Sequence, residues 1–361
     1  MTLLSLIRKK KGNPSGSLDR MAWRRFRRNP LSVASLVVIV LFALVAILGY
    51  LITPDHTPYC NQQYLELATL KPFSKASFLI TDETDSHTSF LHRMTSGEPL
   101  PYTATPIKEY RYARDSIFAV PYNGEPIAVA ADSARVDERT FILGTDAYGR
   151  DVLSMIMIGS RVSLSVGFIA ILIALLLGIT LGALAAYYGG WVDNLILWLI
   201  NVVWSIPTVL LVIAITFVLG KGFWQIFIAV GLTMWVDIAR VVRGEVLGIK
   251  EKEYVEATRA LGFSTFRTIF RHILPNIVGA VVVIAASNFA SAILIEAGLS
   301  FLGIGVQPPM PSWGMMVKEN YGYILLDNAY LAFLPGLAIM LVVLAFMLLA
   351  NGLRDALDIK R

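Results

Sequence analysis

The sequence predicts an all-α polytopic membrane protein, with six transmembrane helices and a large extracytoplasmic insertion after the first. Three observations carry that prediction. Of 361 residues, 56% are apolar and 16% charged, with mean hydropathy +0.63, against roughly 45–50% and about 25% in soluble domains. Several uncharged apolar runs exceed the length of about 18 residues at which a stretch reads as a membrane span. Basic and acidic connections alternate along the chain, as the positive-inside rule requires. A soluble enzyme is excluded.

Residues 1–30 form a basic cytoplasmic segment with nine Lys/Arg (Arg8, Lys9, Lys10, Lys11, Arg20, Arg24, Arg25, Arg27 and Arg28) and one acid, Asp19. The first span, 31–52, is an apolar run of 22 residues, longer than the about 7–15 of a signal-peptide core. Residues 49–53 offer no small-x-small cleavage site, so an uncleaved helix is expected. The segment 53–151 has nine basic and fourteen acidic residues and eight of the sixteen prolines; it is expected outside, as a loop-rich, strand-containing insertion. A lid, a spacer or a surface receiving another protein would all suit it, and Cys60 within it is expected to be reachable from outside. Residues 152–361 form the membrane core, with spans at 162–188, 195–219, 223–236 (with a polar extension to 239), 276–295 and 329–353. Six crossings place both termini inside.

One cysteine and four scattered histidines (His56, His87, His92, His272) offer no metal-ligand spacing. Ala174, Gly178, Gly182 and Ala186 recur every fourth residue, which lets a neighbouring backbone approach closely, inside the bundle or across a dimer. Pro207 and Pro335 are expected to kink or open their helices. Only Asp237 and Glu296 bring carboxylates into the spans, both near span ends, which disfavours a proton- or sodium-coupled carrier. Asn201, Trp204, Asn288 and Ser291 are candidates for the translocation pathway, although polar residues in spans also bond neighbouring helices.

The connection between the fourth and fifth spans is basic (Arg240, Arg243, Lys250, Lys252, Arg259, Arg267, Arg271). Tyr254, Ala257, Thr258 and Leu261 follow i, i+3, i+4, i+7 and predict a short amphipathic helix. Gly262 is placed to end it. Ser264 can cap a second helix with Phe266, Ile269, Phe270 and Ile273 on its apolar face and Arg267 and Arg271 opposite. Pro275 suits the first turn of the fifth span. Such a helix–glycine–helix knuckle could pass force from a cytosolic partner into the membrane; a helix pair lying on lipid headgroups fits the same periodicity.

Glu256-Ala257, Gly262 and Leu274-Pro275 stand at the spacing of the EAA loop, at 250–275, of ABC importer permeases, which the chain resembles. Thr258 replaces the second alanine and His272 an apolar residue. The stretches 271–276, 143–154 (Leu-Gly-Thr-Asp-Ala-Tyr-Gly-Arg-Asp-Val-Leu-Ser) and 299–314 (Leu-Ser-Phe-Leu-Gly-Ile-Gly-Val-Gln-Pro-Pro-Met-Pro-Ser-Trp-Gly) are similar to the dipeptide/oligopeptide/nickel branch. Trp23, Phe26, Arg28, Asn29 and Pro30 resemble its C-type subunit. The resemblance covers nearly everything except the insertion, and it implies the type I ABC importer fold.

It further implies a bacterial inner-membrane permease for di- or oligopeptides that forms half of the pathway. The partners implied are a homologous permease in a heterodimer, two cytosolic ABC ATPases and an extracytoplasmic substrate-binding protein; nucleic acid is not among them. Glu256, Ala257, Thr258, Arg259, Gly262, Leu274 and Pro275 would form the ATPase-coupling loop. Phe301, Gly303, Gly305, Pro308, Pro309 and Trp313 would form the extracellular gate region, with Trp313 as an interfacial anchor. The chain has no Gly-x-x-x-x-Gly-Lys-Ser/Thr phosphate loop. It is therefore expected to be no enzyme and to hold no cofactor, with ATP and magnesium on partner subunits. A nickel or other small-solute importer shares these motifs, and a non-transporting membrane scaffold would keep the spans without needing the knuckle.

Overall fold

A computed structural model describes residues 14–82, 88–220 and 222–357. Arg8, Lys9, Lys10, Lys11 and His87 lie outside these residues. Helix α1 (Pro14–Arg28) carries the remaining basic residues of the N-terminal segment and leads into α2 (Pro30–Leu48). The entry to α2 is fixed locally. Asn29 Oδ1 accepts from the N–H groups of Leu31 (3.1 Å) and Ser32 (3.3 Å), and Pro30 occupies the first turn, where a missing N–H costs nothing.

The insertion contains a five-stranded antiparallel sheet and helix α3 (Phe90–Ser96). Strands β1 (Ser74–Thr81), β2 (Thr103–Ala113), β3 (Ser116–Pro121), β4 (Ile127–Ala130) and β5 (Ala134–Phe141) lie in the order β4-β3-β2-β1-β5. Interior strand β1, paired with β2 and β5, is covered on both faces. Phe78 packs with Tyr64, Leu67 and Phe141, while Leu79 packs with Ile107, Ile117 and Ala119. Apolar residues therefore run consecutively through 78–80 instead of alternating.

Helix α4 (Val152–Tyr188) starts ten residues before the expected span, because Arg161 interrupts the apolar run without interrupting the helix. Four of its five guanidinium N–H groups are used. Arg161 donates to the carbonyls of Ala46 (2.7 Å) and Ile47 (3.0 Å) at the end of α2, and of Met94 (2.9 Å) and Thr95 (2.9 Å) at the end of α3. These are carbonyls that helix ends leave without partners. The 143–154 motif forms the turn leading into α4. Asp146 accepts from Arg150 Nε (2.7 Å), Arg150 donates on to Glu319 (2.7 Å), and Asp151 caps α4 through the Ser154 N–H (2.9 Å).

The expected third span is two helices, α5 (Gly190–Trp204) and α6 (Thr208–Leu219), bent by 93° at Pro207. Helix α7 (Phe223–Lys250) outruns its expected end, so Arg240, Arg243 and Lys250 are helical and not in a loop. Arg243 closes on Asp193 at the start of α5 with two bonds of 2.6 Å. Helices α8 (Glu253–Ala260) and α9 (Thr265–Thr268) follow, then a π-type turn over Ile269–Ile273 that continues into α10 (Leu274–Phe301). The chain closes with α11 (Trp313–Asn320) and α12 (Tyr330–Leu357). Helix α12 runs unbroken through Pro335, so it does not open there; in its second turn the proline forfeits only a single ladder bond. Among the described residues, five helices are each long and apolar enough to span a membrane, and the α5–α6 pair, taken together, is a sixth such stretch.

The core is centred on α4 against α7. A Cβ at Gly178 would lie 2.7 Å from Ile238 Cβ, and one at Gly182 would lie 2.5 Å from the Ala239 carbonyl oxygen. The small-residue stripe is consumed inside the chain, so the dimer reading falls. Gly182→Val should lower the unfolding midpoint, at a cost of about 1–3 kcal/mol for overpacking. Gly248→Ala, where nothing lies within 4 Å, should leave it unchanged or raise it; thermal denaturation of the detergent-solubilised protein compares the two.

Cys60 is also not as expected. It is 0% exposed, its Sγ lies 3.1 Å from the Asp55 carbonyl oxygen, and burial first, then the Asp55 charge, pushes the thiol's pKa up. The thiolate is the reactive form. A maleimide at pH 8 should therefore leave Cys60 unmodified in the native protein and label it only after denaturation, as mass spectrometry would read.

Candidate functional site

Helix α8 ends in a Schellman motif. Gly262 takes φ +73°, its N–H donates to Arg259 O (2.9 Å), and the Phe263 N–H donates to Thr258 O (3.0 Å). A glycine is needed here for its left-handed backbone alone, because a Cβ would meet nothing within 4 Å. Ser264 then caps α9 by accepting from the Arg267 N–H (3.4 Å).

The face that α8 turns inward differs from the expected one. Val255 and Thr258 are buried, and Tyr254, Ala257 and Leu261 are exposed. On the following helix Ile269 and Ile273 are buried, while Phe266 and Phe270 stack on each other at 4.3 Å and remain exposed. Helical periodicity finds apolar residues but cannot separate those facing their own bundle from those facing something else. Thr258 Oγ1 donates to Val255 O (2.7 Å) and lies 3.3 Å from Thr268 Oγ1, joining the two helices of the knuckle. Glu256 is exposed, and the Arg259 guanidinium lies 5.1 Å from the centre of the Tyr187 ring.

Leu274 is half-buried and Pro275 exposed. Pro275 lies in the first turn of α10, as expected, and the π-type turn joins that helix to α9 in a continuous run from Thr265 to Phe301. The π-type turn just before it absorbs the missing N–H, and Asn276 Nδ2 donates to His272 O (2.7 Å). The knuckle and α10 are thus one mechanical piece.

The expected gate residues lie after α10, which ends in a second Schellman motif. Gly303 has φ +77°, its N–H donates to Ser300 O (3.0 Å), and Ile304 N–H donates to Leu299 O (2.9 Å). Gly305 packs on the Ser300 backbone with no room for a Cβ. Phe301 is exposed, with its ring edge-on to Tyr321 at 6.1 Å, and the Pro308-Pro309 bond is cis. Trp313 is no interfacial anchor. It is 0% exposed, its indole donates to Ile156 O (2.9 Å), and its ring fits against Gly159.

Glu296 is fully buried. It accepts from Ser163 of α4 (3.0 Å) and from Ser300 (2.7 Å), whose own hydroxyl oxygen accepts the Val306 N–H (3.2 Å). Sequence reading missed this hub. The available signal was Ser300 one helical turn after Glu296.

Two of the four pathway candidates come together. Trp204 and Ser291 line a cavity of about 180 Å³ at the α5–α6 break, with Thr208, Thr233 and Asp237. Asn201 lies on the exposed face of α5 outside that lining, and Asn288 is buried in α10 with no partner for its Nδ2 among the described residues.

Residues 178–361 match the family described as binding-protein-dependent transport system inner membrane component, and residues 17–72 match the N-terminal transmembrane domain of oligopeptide transport permease C. The glutathione transport system permease protein GsiD of Pectobacterium atrosepticum is 43% identical over 60% of this chain and 72% of its own. The dipeptide transport system permease protein DppC of Alkalihalophilus pseudofirmus is 43% identical over 60% and 71%, and that of Bacillus subtilis 42% over 60% and 68%. With this match, the type I importer architecture and the multi-pass helices, the chain belongs to the inner-membrane permease family of binding-protein-dependent ABC transporters.

Proposed function

We propose that this chain is the C-type permease subunit of an ATP-driven importer for di- or oligopeptides, coupled to its ATPases through the knuckle at 250–275. The observation that carries the reading is the knuckle's construction. It is anchored by Val255, Thr258, Ile269 and Ile273, and it presents Glu256, Arg259, Leu261, Phe266 and Phe270 outward. Exposed aromatic residues beside charges suit a protein partner, since aromatic residues and arginine are enriched in interfaces. In this reading a cytosolic ATPase covers that surface, and its movement passes through α7 and the continuous 265–301 helix to the gate region.

The other assignments follow from the same frame. A homologous permease completes the pathway and a binding protein delivers the solute from outside. Both termini lie in the cytoplasm, because α1 and the knuckle carry the basic residues. The dipeptide and glutathione relatives favour a peptide cargo over nickel. ATP and magnesium belong to the ATPases.

Gly262→Leu forces a side chain into the left-handed region, at a cost of roughly 1–2 kcal/mol, and Glu256→Lys reverses an exposed charge. Each should lower transport and stimulated ATP hydrolysis together while membrane insertion is retained. Cross-linking from position 257 to the ATPase should weaken in parallel; wild-type cross-linking and hydrolysis in Gly262→Leu would favour the lipid-surface reading. The purified chain alone should bind no nucleotide, and saturable binding in the micromolar range by calorimetry would contradict its assignment as the non-hydrolysing subunit.

A further inference from the structure

We propose that the cavity at the α5–α6 break is a membrane-embedded binding site for a zwitterionic solute, with Asp237 receiving a protonated amine and the α6 N-terminus with Arg240 receiving a carboxylate. The proposal rests on the importer reading above and gives it a site.

Asp237 stands at the middle of the 28-residue α7 and is exposed at the cavity. No ion pair within 4 Å includes it among the described residues, but Trp204 hydrogen-bonds to its side chain and the Arg240 charge acts on it. Glu296 is enclosed among serines, whereas Asp237 is exposed at the cavity with Trp204 and the Arg240 charge beside it, and its open side is available to a guest. Around it stand the hydroxyls of Thr208, Thr233 and Ser291.

The anion side is built by different means. The 93° break ends α5 and starts α6 at the cavity, and no side chain caps the first turn of α6. Its free N–H groups favour an anion. One turn beyond Asp237, the Arg240 guanidinium stacks 3.6 Å from the centre of the cavity-lining Trp204 ring. Stacking uses the face of the guanidinium and leaves its N–H edge for a carboxylate. A carboxylate, an arginine and an uncapped half-helix at one break are the two-signed surface that a free amine and a free carboxylate require. Broken helices at mid-membrane depth serve transporters in this way.

The test uses the complete importer with Ser291→Cys as a reporter, Cys60 being buried. The introduced thiol is treated with a trimethylammonium-ethyl and a sulfonato-ethyl methanethiosulfonate, in nucleotide-free and ATP-trapped states. The cation should react faster in at least one state. Asp237→Asn should lower the cation-to-anion rate ratio by about tenfold, the scale of one charge-assisted bond, Asp237→Glu should restore much of it, and Arg240→Gln should raise it. Silence of the reporter thiol to both reagents in both states, or a ratio unmoved by Asp237→Asn, overturns the site. Uptake of a free-amine dipeptide by the wild-type complex is measured alongside. Uptake with a silent reporter leaves the importer reading standing and removes the site; charge selectivity without uptake keeps a zwitterion site and removes the peptide reading.

Discussion

The backbone-to-backbone approach of α4 and α7 is the contact on which the rest of the membrane core depends. Ala174, Gly178, Gly182 and Ala186 present almost no side chain, so Trp235, Ile238, Ala239 and Val242 settle directly on the α4 backbone. Gly231 answers from α7, where a Cβ would fall 2.7 Å from Ile173 Cβ. Membrane helices gain no hydrophobic drive from leaving lipid, so dispersion at such close range must hold them. With α7 fixed this way, three features acquire defined positions: Asp193 against Arg243, the α5–α6 break beside Asp237, and the knuckle that begins where α7 ends.

The knuckle and the gate region share one construction. Each follows a helix closed by a Leu-Gly Schellman motif, at Gly262 and at Gly303. Between them runs one helical piece from Thr265 to Phe301, continuous through Pro275 because the π-type turn accommodates it. In the proposed coupling, a displacement of the knuckle end would reach the segment after Phe301 along this one helical run. Arg161 ties α2 and α3 to α4, and Arg150 ties the 144–151 turn to α11 through Glu319.

Much of this was legible in the sequence because a bilayer demands long uncharged runs and caps demand particular residues. The six apolar stretches, the stripe on α4, the Gly262 stop, the Ser264 cap and the break at Pro207 all follow from local chemistry. What local pattern could not show was direction. Tyr254, Leu261, Phe266 and Phe270 have the spacing of a buried face and point outward, while Trp313 has the composition of an interfacial anchor and points inward. Arg161 read as the end of a span because its four carbonyl partners lie far away in sequence. The function of the coupling and gate residues rests on family resemblance; nothing in their spacing identifies a partner.

The two carboxylates within the spans show how environment separates residues of the same chemistry. Glu296 is sealed between α4 and α10, with serine hydroxyls donating to both oxygens, and through Ser300 it fixes the turn at Val306. A buried charged or polar group satisfied in this way specifies geometry. Asp237 lies on the cavity side of α7, where neighbouring hydroxyls leave room for a guest. Had both been enclosed, the membrane core would contain two structural braces and no polar route; had both been open, α10 would lose its bond to α4 where the gate segment begins. The division of one sealed and one accessible carboxylate allows this core to be held together and still offer a charged surface at the depth of the helix break.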